Sequence, residues 1–146
     1  MASHAEDAYE LIKANLGRSK GVTDWFDVTQ QVSDQFVVVT RNHEAAFLPL
    51  ALLSHFNLTL RGGDATTPAL SNVVAGINYG FDTVRFGAPV TVGARIRATA
   101  MIKDVAIKGD AVDEISTITV EVDGEDEPAL VADWIIRTVF EGEESR

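Results

Sequence analysis

The apolar positions nearest the start of the chain follow the spacing of a helix. Ala8, Leu11 and Ile12 fall on one helix face, and the pattern ends at Gly17, a residue that readily forms a left-handed helix end. The pattern therefore predicts a short helix over residues 6–16.

The next segment combines signals for a helix and for a strand. Residues 25–28 look extended, and Thr29 is a residue type that caps helices, which favours a helix through Val32, Phe36 and Val39. The run Val37-Val38-Val39-Thr40 is β-branched throughout and favours a strand instead. Both interpretations of this run stay open.

Residues 45–56 are apolar on nearly every side, which is typical of a helix enclosed by other elements. Pro49 is tolerated only near the first turn, because deeper in the helix it would remove a backbone hydrogen bond at a cost of about 3 kcal/mol. The central helix is therefore expected to begin close to Leu48. The glycines, proline and short polar residues of segment 61–68 predict a surface loop after it.

The second half of the chain changes to a strand pattern broken by turn residues. Predicted strands cover residues 73–79, 83–86, 91–105, 115–122 and 130–140. Turn signals separate them, among them Lys108-Gly109-Asp110 and Asp123-Gly124-Glu125. The alternation places Arg95, Arg97, Thr99 and Met101 on one strand face and Ile96, Ala98 and Ala100 on the other. This spacing favours an antiparallel sheet built from hairpins.

One buried helix followed by antiparallel strands predicts an α+β fold whose sheet wraps the helix. A single sheet of this length has exposed edges, so two subunits are expected to pair edge to edge or back to back. With 146 residues, the chain is expected to form one domain over residues 1–146.

The composition narrows the chemistry. There is no cysteine, which excludes disulfides, thiolate nucleophiles and Cys-zinc sites, and three histidines leave little for a metal. A formal net charge of -10 argues against binding nucleic acid. No apolar run approaches the roughly 20 residues of a membrane helix, and the acidic N-terminal residues do not resemble a secretory signal. These features predict a soluble cytoplasmic protein.

Asn42-His43-Glu44 is the segment where an imidazole stands beside polar partners just before the buried helix. A histidine at a helix start can act as a general base or orient a water, and the free N–H groups of the first turn can stabilise an oxyanion. The alternative is a loop histidine beside a helix-capping asparagine. Asp113-Glu114 is a second pair of polar residues, but adjacent strand residues point to opposite faces, so we interpret it as part of a solvated hairpin.

The most informative stretch is residues 76–97. It contains Asn78-Tyr79-Gly80-Phe81-Asp82, then Val84-Arg85-Phe86, then Ala88-Pro89-Val90, and then Val92-Gly93-Ala94-Arg95-Ile96-Arg97. This string resembles the MaoC-like dehydratases, which are (R)-specific 2-enoyl-CoA hydratases and include nodulation protein N relatives. Residues 25–30 and 48–53 are similar to the start of the family's first helix and to its central helix. The resemblance implies a hot-dog fold, in which an antiparallel sheet wraps a long helix, and a dimer with acyl-CoA at the subunit interface.

The resemblance also implies a site in which an Asp and a His bind the water that adds across the trans-2-enoyl double bond. Aligned on Thr40, Asn42 falls on the catalytic Asp of the family, and His43 falls on a non-catalytic His beside it. The second His of the family and the loop that follows it have no counterpart before Phe47. His43, assisted by Asn42, is therefore the candidate that orients a water for attack on the β-carbon.

Asn78, Tyr79 and Arg85 belong to the matching motif and are candidates to line the acyl-CoA site or the dimer interface. They can equally be core residues, or in the case of Arg85 a partner for a carboxylate. Arg95 and Arg97 share a strand face that could contact the CoA phosphates or simply face solvent.

The resemblance favours an enzyme of the (R)-specific 2-enoyl-CoA hydratase type, which adds water to a trans-2-enoyl-CoA without a metal or redox cofactor. Three alternatives stay open. The chain can be a non-catalytic acyl-CoA-binding subunit, which would explain Asn42 and the missing second His. It can be an acyl-CoA thioesterase that uses Glu44 to activate water, or a chain presented without a loop that the real protein has.

Overall fold

The computed structural model of the chain describes residues 2–42, 47–65 and 70–142. The helices of this described part are α1 (His4–Lys13), α2 (Gln30–Thr40), α3 (Leu48–Ala51) and α4 (Leu53–Thr59). Its strands are β1 (Ser19–Val22), β2 (Phe26–Asp27), β3 (Arg61–Gly62), β4 (Val73–Phe86), β5 (Arg95–Lys108), β6 (Ala111–Val122) and β7 (Leu130–Phe140). They form one antiparallel sheet in the order β3-β1-β5-β6-β7-β4, with β2 beside β5.

The predicted N-terminal helix is confirmed, although α1 begins two residues earlier and ends three residues earlier than the sequence pattern suggests. The Ser3 hydroxyl accepts a hydrogen bond from the Glu6 N–H at 3.1 Å, and the Glu6 carboxylate accepts one from the Ser3 N–H at 2.7 Å. This reciprocal cap satisfies two N–H groups at the start of the helix. The buried face of α1 packs against the ends of β5 and β6.

The segment that combined helix and strand signals is a helix to its end. The Thr29 hydroxyl accepts a hydrogen bond from the Val32 N–H at 3.1 Å, and α2 continues to Thr40. The strand interpretation of residues 37–40 is therefore wrong, because a capped helix outweighs a strand preference that depends on packing the β-branched side chains. Those side chains find no such packing here, since Val38 and Val39 are 76% and 82% exposed.

The central helix begins at Leu48 as predicted and ends three residues beyond the predicted segment, but it is less enclosed than predicted. It consists of α3 and α4, separated at Leu52, and Pro49 lies in the first turn as expected. Leu48, Leu53 and Phe56 are buried against the inner face of the sheet. Leu58, in contrast, is 84% exposed, so the described part of one chain does not surround this helix.

The loop predicted over residues 61–68 contains a short strand instead at its start. β3 pairs with β1, and Gly21 lies opposite Gly62. A Cβ atom on Gly21 would lie 2.2 Å from the Arg61 carbonyl oxygen, so the close approach of the two strands requires glycine at this position.

The sheet has the alternation that the sequence predicted for β5. Ile96, Ala98 and Ala100 are buried on the inner face, while Arg95, Arg97, Thr99 and Met101 lie on the other. The two strands predicted over residues 73–79 and 83–86 form one strand, β4, whose pairing with β7 is interrupted by bulges.

β4 is an edge strand of fourteen residues, and within the described part of the chain it pairs on one side alone, with β7. Large apolar side chains are exposed along it. They are Val73, Val74, Ile77, Tyr79, Phe81 and Phe86. A long apolar edge of this kind is a surface on which another strand can add.

Candidate functional site

A groove lies between the end of α2 and the start of α3. Its lining residues are Phe36, Thr40, Asn42, Phe47, Leu50 and Ala51, and its volume is about 380 Å³. The helical repeat produces this arrangement, because residues three or four positions apart share a helix face. The surface of the groove is mostly apolar, and its polar side chains, Thr40 and Asn42, come from the end of α2.

Backbone geometry holds Asn42 at the groove. Arg41 ends α2 in the left-handed conformation, with φ 55°, and its N–H donates to the Val37 carbonyl at 2.7 Å. The Asn42 N–H donates to the Thr40 hydroxyl at 3.2 Å, and that hydroxyl donates to the Phe36 carbonyl at 2.6 Å. The chain therefore turns sharply after α2, which leaves Asn42 half-buried in the groove wall.

In the family that the sequence resembles, the segment aligned with Thr40 onward is Thr-Gly-Asp-His, so the resemblance implies a glycine where this chain has Arg41. The left-handed conformation favours glycine, because other side chains crowd the following carbonyl in it. The turn after α2 thus keeps a glycine-like backbone although the glycine is absent. His43 and Glu44, the candidate base and its alternative, lie outside the described residues.

The candidate residues of β4 do not line the groove. Asn78, Tyr79 and Arg85 are all exposed along the edge strand. β4 does reach the groove at its last residue, because the rings of Phe86 and Phe47 meet edge to face with centroids 5.3 Å apart. The structure therefore connects the edge strand to the groove, but through Phe86 rather than through the three motif residues.

Tyr79 has a partner on the outer face of the sheet. The Arg137 guanidinium lies 3.8 Å from the centroid of the Tyr79 ring. The same guanidinium donates two hydrogen bonds to Asp113, at 2.7 and 2.9 Å. These bonds lower the pKa of Asp113 below its ordinary value, outweighing the opposing effect of burial.

The interpretation of Asp113 as part of a solvated hairpin is wrong. Asp113 is 6% exposed, because it lies directly opposite Arg137 in the register of β6 and β7. Glu114 points to the other face, as the alternation predicted, and meets the Lys20 ammonium at 3.1 Å. Both carboxylates are thus engaged in ion pairs within the fold.

A second carboxylate, Asp133, is held at the centre of the outer face. It accepts hydrogen bonds from Lys103 at 2.6 Å, Thr117 at 2.7 Å and Thr83 at 3.3 Å. The bond from Lys103, supported by that from Thr117, lowers the pKa of Asp133. These partners come from three strands besides its own, so the carboxylate joins four strands of the sheet.

Arg95 and Arg97 stack on Trp25, with distances of 5.1 and 4.3 Å from guanidinium carbon to ring centroid. Carboxylates accompany both guanidinium groups. Arg97 pairs with Glu121, and Arg95 lies within 4 Å of Asp27 and Asp123. The cluster carries no excess positive charge, so it does not by itself favour a phosphate group.

The sequence did not single out the groove residues Phe36, Thr40, Leu50 and Ala51. The available signal was the spacing of Phe36 and Thr40, four residues apart and next to the candidate segment. What the spacing could not reveal is that α2 and α3 bring these faces together.

In the residues that the structure describes, no cluster of three or more His, Asp or Glu side chains is arranged to hold a metal ion. Nor does this part of the chain contain a helix that is both long and apolar enough to cross a membrane.

One antiparallel sheet packed against a central helix, with a groove at the helix start, defines a hot-dog fold. Solved structures with a similar fold include the following two. The MaoC-like dehydratase from Rhodospirillum rubrum has a TM-score of 0.59 and 9% identity, over 88% of this chain and 94% of that structure. The (R)-hydratase from A. caviae has a TM-score of 0.55 and 12% identity, and the match covers 83% of this chain and 94% of that structure.

Sequence relatives define the family within this fold. The 3-hydroxyacyl-thioester dehydratase Z of Mycobacterium tuberculosis (strain ATCC 25618 / H37Rv) is 34% identical, over 88% of this chain and 93% of the relative. The nodulation protein N of Rhizobium leguminosarum bv. viciae is 28% identical, over 89% of this chain and 90% of the relative. No family model matches the chain. The chain belongs to the MaoC-like hydratase and dehydratase family, as the sequence motif indicated.

Proposed function

We propose that this protein is an (R)-specific hydratase that adds water to trans-2-enoyl-CoA thioesters, or removes it in the reverse direction. The observation that carries the proposal is the similarity to 3-hydroxyacyl-thioester dehydratase Z over nearly the whole chain. The groove between α2 and α3 supports it, because Asn42 lies in its wall at the position where the family has a catalytic Asp.

In the proposed reaction, an O–H bond of the water breaks as its oxygen bonds to the β-carbon of the enoyl group. The electron pair of the carbon–carbon double bond takes up at the α-carbon the proton that leaves the water by way of His43. His43 takes the proton from the water and so serves as general base. Asn42 holds the water or the imidazole, since an amide can orient a water but cannot take up a proton as a carboxylate does.

The start of α3 is proposed to polarise the thioester carbonyl. Phe47 precedes α3 without a side-chain hydrogen bond to its first turn. The N–H groups of Leu48 and Leu50 are the candidates to face the carbonyl oxygen, because Pro49 has no N–H. This chemistry requires neither a metal nor a redox cofactor.

We propose further that the active form is a homodimer, assembled through the edge of β4. The exposed apolar residues of this strand and its free edge support the proposal, since pairing with a second copy covers both. Phe86 connects this edge to the groove through Phe47, so a partner strand along β4 would end near the groove. The cytoplasm, where acyl-CoA is available, is the proposed compartment.

The test follows the enoyl-CoA absorbance and free thiol release together, with crotonyl-CoA and with 2-octenoyl-CoA. Hydration to the (R)-3-hydroxyacyl-CoA without thiol release is the expected result. Thiol release would identify a thioesterase instead. Binding of the thioester without either reaction would identify a non-catalytic subunit, and both of these results would overturn the proposal.

A further inference from the structure

We infer that Thr40 is a positioning residue of the proposed hydratase, because its hydroxyl fixes the backbone at the point where the chain leaves α2. It acts on the reaction through Asn42, the residue that is proposed to hold the water or the imidazole, rather than through a bond of its own to the substrate. This inference rests on the proposed function, and it adds a residue to the machinery of the same site.

The Thr40 hydroxyl makes a hydrogen bond in each direction along the chain. It donates to the Phe36 carbonyl at 2.6 Å and accepts from the Asn42 N–H at 3.2 Å. A hydroxyl has one proton and two lone pairs, so it can make both bonds at once. The first bond ties the hydroxyl to α2, and the second ties the chain after α2 to the hydroxyl. Because its single proton is directed at Phe36, the hydroxyl is poorly placed to donate a hydrogen bond to a substrate.

The two bonds span a residue with a strained backbone. Arg41 lies between Thr40 and Asn42 and has φ 55°, a left-handed conformation that is crowded for a non-glycine residue. Such a conformation persists when neighbouring contacts hold it. Here the Arg41 N–H donates to the Val37 carbonyl at 2.7 Å, and the Thr40 hydroxyl holds the N–H that follows Arg41. Without the hydroxyl, Arg41 can relax to a negative φ, and Asn42 then moves with it.

A displacement of Asn42 affects the reacting groups. Asn42 is half-buried in the wall of the groove, and the next residue in the chain is His43, the proposed base. A base is effective only within hydrogen-bond distance of the proton that it takes, and a misplacement of about 1 Å can reduce a rate about 100-fold. A turn that is held in one conformation therefore favours the reaction, whereas a turn that samples several conformations is productive only part of the time.

Thr59 provides a matched comparison within the same chain. It is the last residue of α4, as Thr40 is of α2, and its hydroxyl donates to the His55 carbonyl at 3.0 Å. The residue after it, Leu60, is extended rather than left-handed, with φ -63° and ψ 137°. Among the described residues, no backbone N–H donates to the Thr59 hydroxyl, and Thr59 does not line the groove. Its hydroxyl therefore bonds to its own helix without holding a turn.

The test compares Thr40→Val, Thr40→Ser and Thr59→Val with the wild type in steady-state hydration of an enoyl-CoA. Valine has nearly the shape of threonine but no hydroxyl, so Thr40→Val should lower kcat about three- to tenfold, the effect of one hydrogen bond, and should leave KM within about twofold. Thr40→Ser keeps the hydroxyl and should recover most of the lost kcat. Thr59→Val should keep the wild-type kcat and KM, and thermal unfolding should show similar stabilities for the two valine variants.

Three kinetic results would refute the inference. They are a wild-type kcat in Thr40→Val, an equal loss of kcat in Thr59→Val, and no recovery of kcat in Thr40→Ser. A rise in KM at unchanged kcat in Thr40→Val would refute it as well, because the hydroxyl would then bind the substrate itself.

Amide hydrogen exchange measured by NMR separates this inference from the proposed function, because it does not depend on the reaction. The Asn42 N–H should exchange about threefold or more faster in Thr40→Val than in the wild type or in Thr40→Ser. An unchanged exchange rate in Thr40→Val would show that the hydroxyl does not hold the turn. If the wild type hydrates no enoyl-CoA, the proposed function is overturned whatever the exchange rates. If the wild type hydrates and Thr40→Val is unimpaired, the positioning role alone is overturned.

Discussion

The Arg137 guanidinium donates two hydrogen bonds to the Asp113 carboxylate on the neighbouring strand. Nε lies 2.7 Å from one carboxylate oxygen, and Nη2 lies 2.9 Å from the other. The guanidinium also covers the Tyr79 ring on β4, so one side chain connects β6, β7 and the edge strand. Because the Asp113 carboxylate is nearly buried, its charge depends on this partner.

Arg137→Met is therefore expected to lower the melting temperature by about 5 °C or more, since it leaves a buried carboxylate without a cation. Differential scanning calorimetry measures the change. Arg61→Met is the control, because the ion pair of Arg61 with Asp24 is largely exposed and its loss should shift the melting temperature by less than about 2 °C. Equal shifts in the two variants would contradict the assigned role of Arg137.

The stability of the fold should decrease in acid. Asp113 and Asp133 both have pKa values below the ordinary value, so the unfolded chain binds more protons than the native one as the pH falls. Their contribution is complete above the pKa of an unfolded aspartate, about 4, and is lost as the pH falls through the lowered native values. Urea unfolding between pH 7 and pH 3 should show this loss.

Asp133→Asn should show a smaller decrease in stability over the same pH interval, because one of the two titrating groups is gone. Asp24→Asn should behave as the wild type, since Asp24 is exposed. An unchanged pH dependence in Asp133→Asn would contradict the prediction.

Replacement of Arg41 by glycine should stabilise the protein. Arg41 has φ 55°, a left-handed conformation that costs a non-glycine residue about 1–2 kcal/mol, part of which glycine loses again through its greater freedom in the unfolded chain. We expect Arg41→Gly to raise the unfolding free energy by about 0.5–1 kcal/mol in urea titrations. Asn72 also has a left-handed φ, of 61°, but Asn72→Gly should raise the unfolding free energy by less, because asparagine tolerates this conformation.

The proposed base can be tested directly. His43→Ala should reduce hydration by about 100- to 10,000-fold, and Asn42→Asp, which introduces a carboxylate, should raise it about tenfold or more. Steady-state rates with an enoyl-CoA measure both, and Asn72→Asp is the control at a position outside the groove. If His43→Ala kept full activity, His43 would not be the general base.

The dimer proposal makes a prediction about the edge strand. Val74→Asp combined with Ile77→Asp places like charges along β4 and should raise the dimer dissociation constant about tenfold or more. Sedimentation equilibrium measures this constant. Val38→Asp combined with Val39→Asp alters two exposed valines on α2 and should leave the dissociation constant unchanged. Dissociation by the α2 variant alone would show that the interface lies on α2 instead.

Several features of this protein could be predicted from its sequence, because interactions between residues close together in the chain determine them. The cap at Thr29 set the start of α2, and Pro49 set the start of α3. The alternation in β5 separated its buried face from its exposed one. The motif around residues 76–97 indicated the family, which the relatives confirm.

Tertiary structure decided the features that depend on residues far apart in sequence. Asp113 is buried because the register of β6 and β7 brings Arg137 opposite it, and no local pattern contains that register. The groove exists because a turn at Arg41 brings the end of α2 beside α3, and neither helix alone encloses it. The sequence therefore determined the elements and the family, whereas the pairing of strands and helices determined which side chains share a site.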